Sequence, residues 1–171
     1  MNTHSCFTRI AVPLAAIALG LSLPALAFAR GKLNLQETAP FVRDLSVAKA
    51  VRSECDLPHE VPNYVRAYAK KEFDVELVES VTPHSRGQGL AMTIVGVQAR
   101  PGGEFTGHKS ITVEGKLWED GRVIGTFRAM RETRGTFATC GSLRYDARSM
   151  GKDIAKWLKK PTMDARLGDA R

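Results

Sequence analysis

Three histidines downstream of residue 29 are the side chains best suited to acid/base or metal chemistry. They are His59, His84 and His108, and their spacings match no short zinc-binding motif. His59 precedes Glu60, but no second histidine follows at the spacing of a metalloprotease helix. We therefore expect solvated or capping histidines, with no metal and no cofactor. An enzyme that combines these histidines with nearby acids stays open as an alternative.

Other catalytic and phosphate-binding motifs are missing from the sequence. There is no Gly-x-Ser-x-Gly elbow. The glycine-bearing loops at 85–89 and 100–103 lead into predicted strands, whereas a phosphate cradle opens a helix. A hydrolase would therefore need a constellation that sequence order does not reveal. We predict no catalytic residues and favour a binding role.

The cysteines predict one disulfide. Cys6 lies within residues 1–29, which we expect to be removed on export. This leaves Cys55 and Cys140 as a pair. An oxidising compartment allows such a pair to close. The bond would close a loop spanning 85 residues. For a loop of this length, the chain-entropy model gives a stabilisation of the folded state of about 4 to 5 kcal/mol. Free thiols and a metal pair are the competing interpretations, but no Cys-x-x-Cys is present and no histidine lies beside Cys140.

A cationic row near the C-terminus is the strongest candidate for a binding surface. Five basic residues recur there at helical spacing: Arg144, Arg148, Lys152, Lys156 and Lys159. They lie opposite an apolar line that runs from Leu143 to Leu158. We call them the basic helix face. It could meet phosphates or carboxylates, and the alternative is an amphipathic helix that only turns its charges to water.

Hydrophobic periodicity predicts the helices that would position these residues. Helical spacing favours one helix over 59–72 and a second over 141–159, which Pro161 stops. Pro58 and Pro62 fit the N-terminal turn of a helix better than its interior.

Alternating apolar and polar residues predict the strands. They favour a first strand over 45–52 and further strands between residues 73 and 134, with Asp120-Gly121 as a tight hairpin turn. Together with the helices, this order predicts an α+β fold. We expect an antiparallel sheet of four to five strands, with two helices packed on one face and one disulfide.

The first 29 residues predict export. Arg9 supplies a positive start, an apolar stretch runs from Ile10 to Leu26, and Ala27-Phe28-Ala29 is a cleavage signal. The residue directly after this signal is Arg30 and not a cysteine, so we expect no lipid and no stable membrane anchor after cleavage. The predicted organisation is a cleaved signal peptide (1–29), a flexible lead (30–44), a single α+β domain (45–160) and a disordered tail (161–171).

The charge balance indicates the kind of partner. Residues 1–29 hold one of the 25 basic residues and none of the 18 acidic ones, so the exported chain has a net charge of +6. A basic surface favours an anionic envelope component or an envelope protein, and in the periplasm we expect no nucleic acid. A surface that only keeps the protein soluble is the alternative.

The C-terminal segment carries a family resemblance. Cys140-Gly141-Ser142-Leu143, the run from Met150 to Leu158 and then Pro161 resemble the tail of exported bacterial proteins of unknown function. The predicted layout is similar to the small α/β domains of outer-membrane auxiliary lipoproteins and transport-auxiliary proteins. The resemblance implies a non-enzymatic accessory role in envelope assembly or transport.

The sequence therefore predicts a non-catalytic periplasmic binding or envelope-assembly module, periplasmic or fully secreted, that contacts an anionic or protein partner through the basic helix face. Two alternatives stay open, namely a periplasmic enzyme of unrecognised type with a histidine/acid site, and a secreted enzyme inhibitor.

Overall fold

The computed structural model describes residues 30–84, 87–99, 108–134 and 138–170. The predicted signal peptide, the loop at 100–103 and the first two residues of the loop at 85–89 lie outside the described residues. In chain order, the described elements are β1 (Gly31–Gln36), α1 (Lys49–Glu54), α2 (Leu57–Ala69), β2 (Phe73–Val78), β3 (Gln88–Gln98), β4 (His108–Glu119), β5 (Arg122–Arg134), α3 (Thr139–Trp157) and β6 (Ala165–Gly168).

The strands form one six-stranded sheet in the order β2-β1-β3-β4-β5-β6. β3, β4 and β5 pair antiparallel, whereas β1 pairs parallel with both β2 and β3, and β5 pairs parallel with β6. The predicted α+β class is confirmed. The predicted purely antiparallel sheet of four to five strands is wrong in detail, because two helical connections, α1–α2 and α3, each join strands that run in the same direction.

The segment predicted as a flexible lead contains β1. Its sequence alternates lysine, leucine, asparagine and leucine, and Leu33 and Leu35 are both 0% exposed. The chain after β1 is also held by backbone hydrogen bonds, from Ala39 N–H to the Pro58 carbonyl (2.8 Å) and from Val42 N–H to the Ile94 carbonyl (2.9 Å). These bonds and the parallel pairs on both sides make β1 an interior strand.

The strand predicted over 45–52 is also corrected. Residues 49–54 form α1, in which Val51 is buried. Val47 and Val51 satisfy a helical spacing of four as well as an alternating one, so the pattern did not separate the two structures. At the other end of the chain, the tail predicted as disordered contains β6, whose four residues pair with β5.

The helices cover one face of the sheet and complete the core. α2 contacts β1 and β2, α3 contacts β4, β5 and β6, and α2 and α3 pack against each other. Gly151 of α3 lies where a Cβ would be 2.8 Å from the backbone carbon of Tyr64 in α2, so its lack of a side chain allows the close approach. Trp157 is 7% exposed and packs edge-on to Phe127, with ring centroids 4.9 Å apart. It therefore belongs to the core and not to an interface.

Pro58 lies in the first turn of α2 as predicted, whereas Pro62 lies inside the helix, which corrects that part of the prediction. A proline has no N–H, so the carbonyl of Pro58, four residues earlier, loses its usual helical donor. In this fold the Ala39 N–H donates to that carbonyl instead, at 2.8 Å. The proline is tolerated because the segment after β1 replaces the missing hydrogen bond.

Two local predictions are confirmed. Cys55 and Cys140 form a disulfide with their Cα atoms 4.9 Å apart, and the bond ties the junction of α1 and α2 to the first turn of α3. The β4–β5 connection is a two-residue turn, with φ of +48° at Asp120 and +81° at Gly121. Positive φ at both positions matches the right-handed twist of a hairpin, and glycine adopts it without a Cβ clash.

Candidate functional site

The basic helix face is largely occupied by contacts with α2. Arg144 Nε lies 3.4 Å from a carboxylate oxygen of Glu60, and Arg148 Nε donates to the Tyr68 hydroxyl at 3.2 Å. Lys159 Nζ donates to Glu72 at 2.6 Å, and this bond lowers the pKa of the Glu72 carboxyl below its ordinary value. Three of the five cations thus help hold α3 against α2 and the residues that follow it.

Lys152 and Lys156 are the remaining cations of this face. Both are exposed, and neither makes an ion pair within the described residues. The free positive charge on the helix is therefore smaller than the sequence pattern suggested, because sequence spacing shows which residues share a helix face but not what lies beside it.

The three histidines occupy separate environments. His59, at the start of α2, hydrogen-bonds Asp56 at 2.7 Å, and this bond raises the pKa of the imidazole. His108, at the start of β4, hydrogen-bonds Glu132, while His84 lies exposed between β2 and β3. In the described ranges, no group of three or more histidine, cysteine or acidic side chains is placed to hold a metal ion.

A groove lies on the sheet face that the helices leave open. Its volume is about 680 Å³, and strands β3, β4 and β5 form its floor. Strand alternation sends every second side chain to this face, and the register aligns them in rows. Lys116 lies between Ala91 and Thr126 in one row, and Glu114 lies between Thr93 and Arg128 in the next. The segment that leads into β6 forms one wall, and further lining residues include Trp118, Asp164 and Arg166.

Four of the polar side chains in the groove are paired with one another. Arg128 Nη1 donates to Glu114 at 2.5 Å. The Asp164 backbone N–H donates to the Thr126 hydroxyl at 2.7 Å, and that hydroxyl donates to the Asp164 carboxylate at 3.1 Å. These contacts hold the side chains of Glu114, Thr126 and Arg128 in place. They also join the segment before β6 to the floor of the groove.

Two cations in the groove make no ion pair within the described residues. Lys116 Nζ lies over the Trp118 ring, 5.9 Å from its centroid, and Arg166 stands beside Arg128 in the parallel register of β5 and β6. Like charges at neighbouring strand positions destabilise each other. An anion placed in the groove would relieve this repulsion.

Sequence reasoning missed this groove. The alternation of β4 and β5 already placed Glu114, Lys116, Thr126 and Arg128 on one polar side. The other requirements were the register between the strands and the presence of β6, and neither is written in a local pattern.

A buried polar cluster lies beneath the covered face, outside the groove. Lys109 faces Thr133 across β4 and β5, and the Thr133 hydroxyl donates to Asp146 of α3. Lys109 and Asp146 are 1% and 2% exposed, and each has a polar atom with no partner in the described structure. Burial disfavours the ionised carboxyl and raises the pKa of Asp146 to about 6.

In the described part of the chain, no helix combines the length and the apolar character needed to cross a bilayer.

No protein-family model matches the chain, and no curated protein matches it. Among solved structures, the PelC dodecamer from Paraburkholderia phytofirmans is similar in fold. One crystal form has 15% identity over 75% of this chain and 91% of that chain (TM-score 0.49), and a variant in another form has 14% identity over 72% and 84% (TM-score 0.48). A Xanthomonas campestris protein of the DUF330 family has 15% identity over 79% and 88% (TM-score 0.43). No residue role is carried over from these proteins.

Proposed function

We propose that the protein is an exported, non-catalytic accessory module of the bacterial envelope that binds an anionic partner in the groove of the open sheet face. This keeps the class of function predicted from the sequence but moves the binding surface. The observation that carries the proposal is the pair of cations, Lys116 and Arg166, that line the groove without ion-pair partners in the described structure.

The disulfide supports the exported location. Cys55 and Cys140 bond across 85 residues of chain, and such bonds persist in oxidising compartments such as the periplasm. Together with the signal sequence predicted over residues 1–29, the bond favours a periplasmic or secreted protein.

The basic helix face is the second candidate for the binding surface. Lys152 and Lys156 favour it, because both are exposed and make no ion pair among the described residues. They differ from the groove cations in lying on the exposed side of α3, and they do not line the groove. We therefore rank the groove first.

An enzyme or an enzyme inhibitor is less well supported. The histidines that an enzyme would use are in three separate environments, two of them each with one acid partner. An inhibitor would need a presented loop, and the described loops show no feature that favours one.

The test compares two double charge reversals that change the net charge equally. Lys116→Glu with Arg166→Glu alters the groove, and Lys152→Glu with Lys156→Glu alters the basic helix face. The exported protein is mixed with isolated bacterial envelope fractions, and the bound share is measured by co-sedimentation at low and at raised salt. Because all four side chains are exposed, both variants should keep stability within about 1 kcal/mol of the parent.

We expect the groove reversal to abolish most of the binding at low salt and the helix reversal to leave most of it. Binding of the parent should weaken as salt rises, because exposed charges are screened over about 8 to 10 Å. Loss of binding only in the helix variant would transfer the function to the basic helix face. Equal retention by both variants would overturn the proposal of an anionic partner.

A further inference from the structure

The position of the groove decides which class of partner it suits. Its floor is the middle of a sheet, where the backbone N–H and C=O groups of β3, β4 and β5 are already paired with one another. An extended peptide gains its affinity by adding a strand at a sheet edge, and β3, β4 and β5 are interior strands with a neighbour on each side. Recognition here must therefore come from side chains.

The side chains of the groove combine an aromatic ring, cations and hydrogen-bonding groups. Trp118 lines the groove partly exposed, with the Lys116 ammonium above its ring. An indole ring offers a flat apolar surface together with a polar edge. A sugar ring has the matching form, with an apolar C–H face and a rim of hydroxyls.

The acidic side chains of the groove favour an acidic sugar over other anions. Glu114 and Asp164 line it and have oxygens that can accept hydrogen bonds from hydroxyl groups. An acidic peptide would meet these carboxylates with repulsion and without hydroxyls to donate. An acidic sugar can donate its hydroxyls to them and direct its own carboxylate to the cations.

The spacing of the cations is compatible with a polymer that carries repeated charges. Lys116 is on β4 and Arg166 is on β6, so β5 separates them. Two strand spacings correspond to roughly 10 Å across the sheet. Successive charged units of a chain can contact both cations at this separation. A volume of about 680 Å³ also falls within the range of roughly 300 to 1,000 Å³ of small-ligand sites.

We propose that the groove binds a segment of an acidic polysaccharide, with a sugar ring against Trp118 and carboxylates directed to Lys116 and Arg166. This inference rests on the proposed function and names its partner class.

Tryptophan fluorescence provides a direct measurement. The chain has two tryptophans, and Trp157 is buried in the core at 7% exposure, so a change in emission on binding reports mainly on Trp118. The exported protein is titrated with oligogalacturonate, a carboxylated sugar polymer. Parallel titrations use a neutral glucose oligomer of equal length and polyglutamate, a polyanion without sugar rings.

Two variants and one control assign the effect. Trp118→Ala should weaken oligogalacturonate binding roughly tenfold, the scale of one aromatic contact, and Lys116→Gln should weaken it several-fold. Tyr145→Ala is the control, because Tyr145 is an aromatic residue of α3 that is 63% exposed and does not line the groove. Binding by the two Trp118 and Lys116 variants is also measured by calorimetry, which does not depend on the indole.

The inference holds if oligogalacturonate binds at least several-fold more tightly than polyglutamate and the preference is lost in Trp118→Ala. Equal binding of both polyanions, independent of Trp118, would overturn the assignment of a polysaccharide partner. The proposed anion-binding function would remain. Failure to bind either polyanion would also overturn the assignment of a polysaccharide partner. Co-sedimentation with envelope fractions would then decide the proposed function separately. If Trp118→Ala fails to fold, unchanged binding by Lys116→Gln would contradict the inference.

Discussion

The two faces of the sheet use their polar residues differently. On the covered side, three cations of the basic helix face contact α2 or the residues after it, the disulfide joins helix ends, and Asp146 of α3 is buried. On the open side, the floor is internally paired and two cations remain without ion-pair partners in the described structure. A row of charges on a helix can thus stabilise its packing against a neighbouring helix, while a smaller set on a sheet face remains available to a ligand.

This contrast separates stability from binding. Substitutions on the covered side should change the free energy of unfolding and leave the groove intact. Substitutions of exposed charges on the open side should change ligand affinity with little effect on unfolding, since exposed ion pairs contribute about 0 to 1 kcal/mol.

The disulfide should give the largest effect. Replacing Cys55 and Cys140 together by alanine should lower the free energy of unfolding by about 4 kcal/mol, because the 85-residue span is no longer constrained in the unfolded chain. Chemical denaturation at neutral pH measures the loss. Reduction of the parent should reproduce it and should not affect the variant further. A double variant as stable as the parent would show that the covered side does not depend on this bond.

Asp146 should give the next largest effect, visible as a dependence on pH. Its folded-state pKa of about 6 exceeds the ordinary 3.8, so the native state holds the proton more tightly than the unfolded one. The resulting stabilisation is complete below about pH 4 and is lost as pH rises through 6, a total of roughly 3 kcal/mol. The stability difference between the parent and Asp146→Asn should therefore fall by that amount between acidic and neutral pH.

Urea denaturation of both proteins at several pH values tests this expectation. Comparing the two proteins at each pH cancels the contributions of other titrating groups, provided the substitution leaves the Thr133 contact in place. A difference that stays constant between pH 4 and 7 would mean that burial does not raise the pKa of Asp146 in the folded protein.

Glu114 should give the smallest effect on stability and a clear effect on binding. Glu114→Gln removes the partner charge of Arg128 in an exposed pair, so unfolding should change by less than about 1 kcal/mol. The groove becomes more positive, and its affinity for a polyanion at low salt should rise several-fold. Glu72→Gln is the matched control, because it removes a similarly exposed pair with Lys159 on the covered side.

Affinity is measured for both variants by the same calorimetric titration. A rise in affinity in Glu72→Gln equal to that in Glu114→Gln would mean that the overall charge, and not the groove, governs binding. That outcome would remove the functional contrast between the two faces.

The sequence predicted the parts of the fold that depend on local patterns. The hairpin at Asp120-Gly121, the strands β2 to β5 and the amphipathic α3 all carry long or distinctive periodic signals. The disulfide followed from the compartment and the even number of cysteines after Cys6. These features need no knowledge of what lies beside them in space.

The missed features depend on tertiary pairing. β1 had the alternation of a strand, but its polar flanks resembled a terminal segment, and only the parallel pairs with β2 and β3 show its interior position. β6 is four residues long and is defined by β5 alone. Because the groove requires the register of three strands and the segment before β6, no single stretch of sequence could indicate it.

The hydrogen bond between the Ala39 N–H and the Pro58 carbonyl, 2.8 Å long, makes the segment around Ala39 depend on the residue at position 62. Replacing Pro62 by alanine would restore a helical N–H that competes for the same carbonyl. A change that looks favourable by helix propensity alone would then weaken the anchor of the chain after β1. We expect proline at 62 to be exchanged among homologues only together with a change in the segment around Ala39.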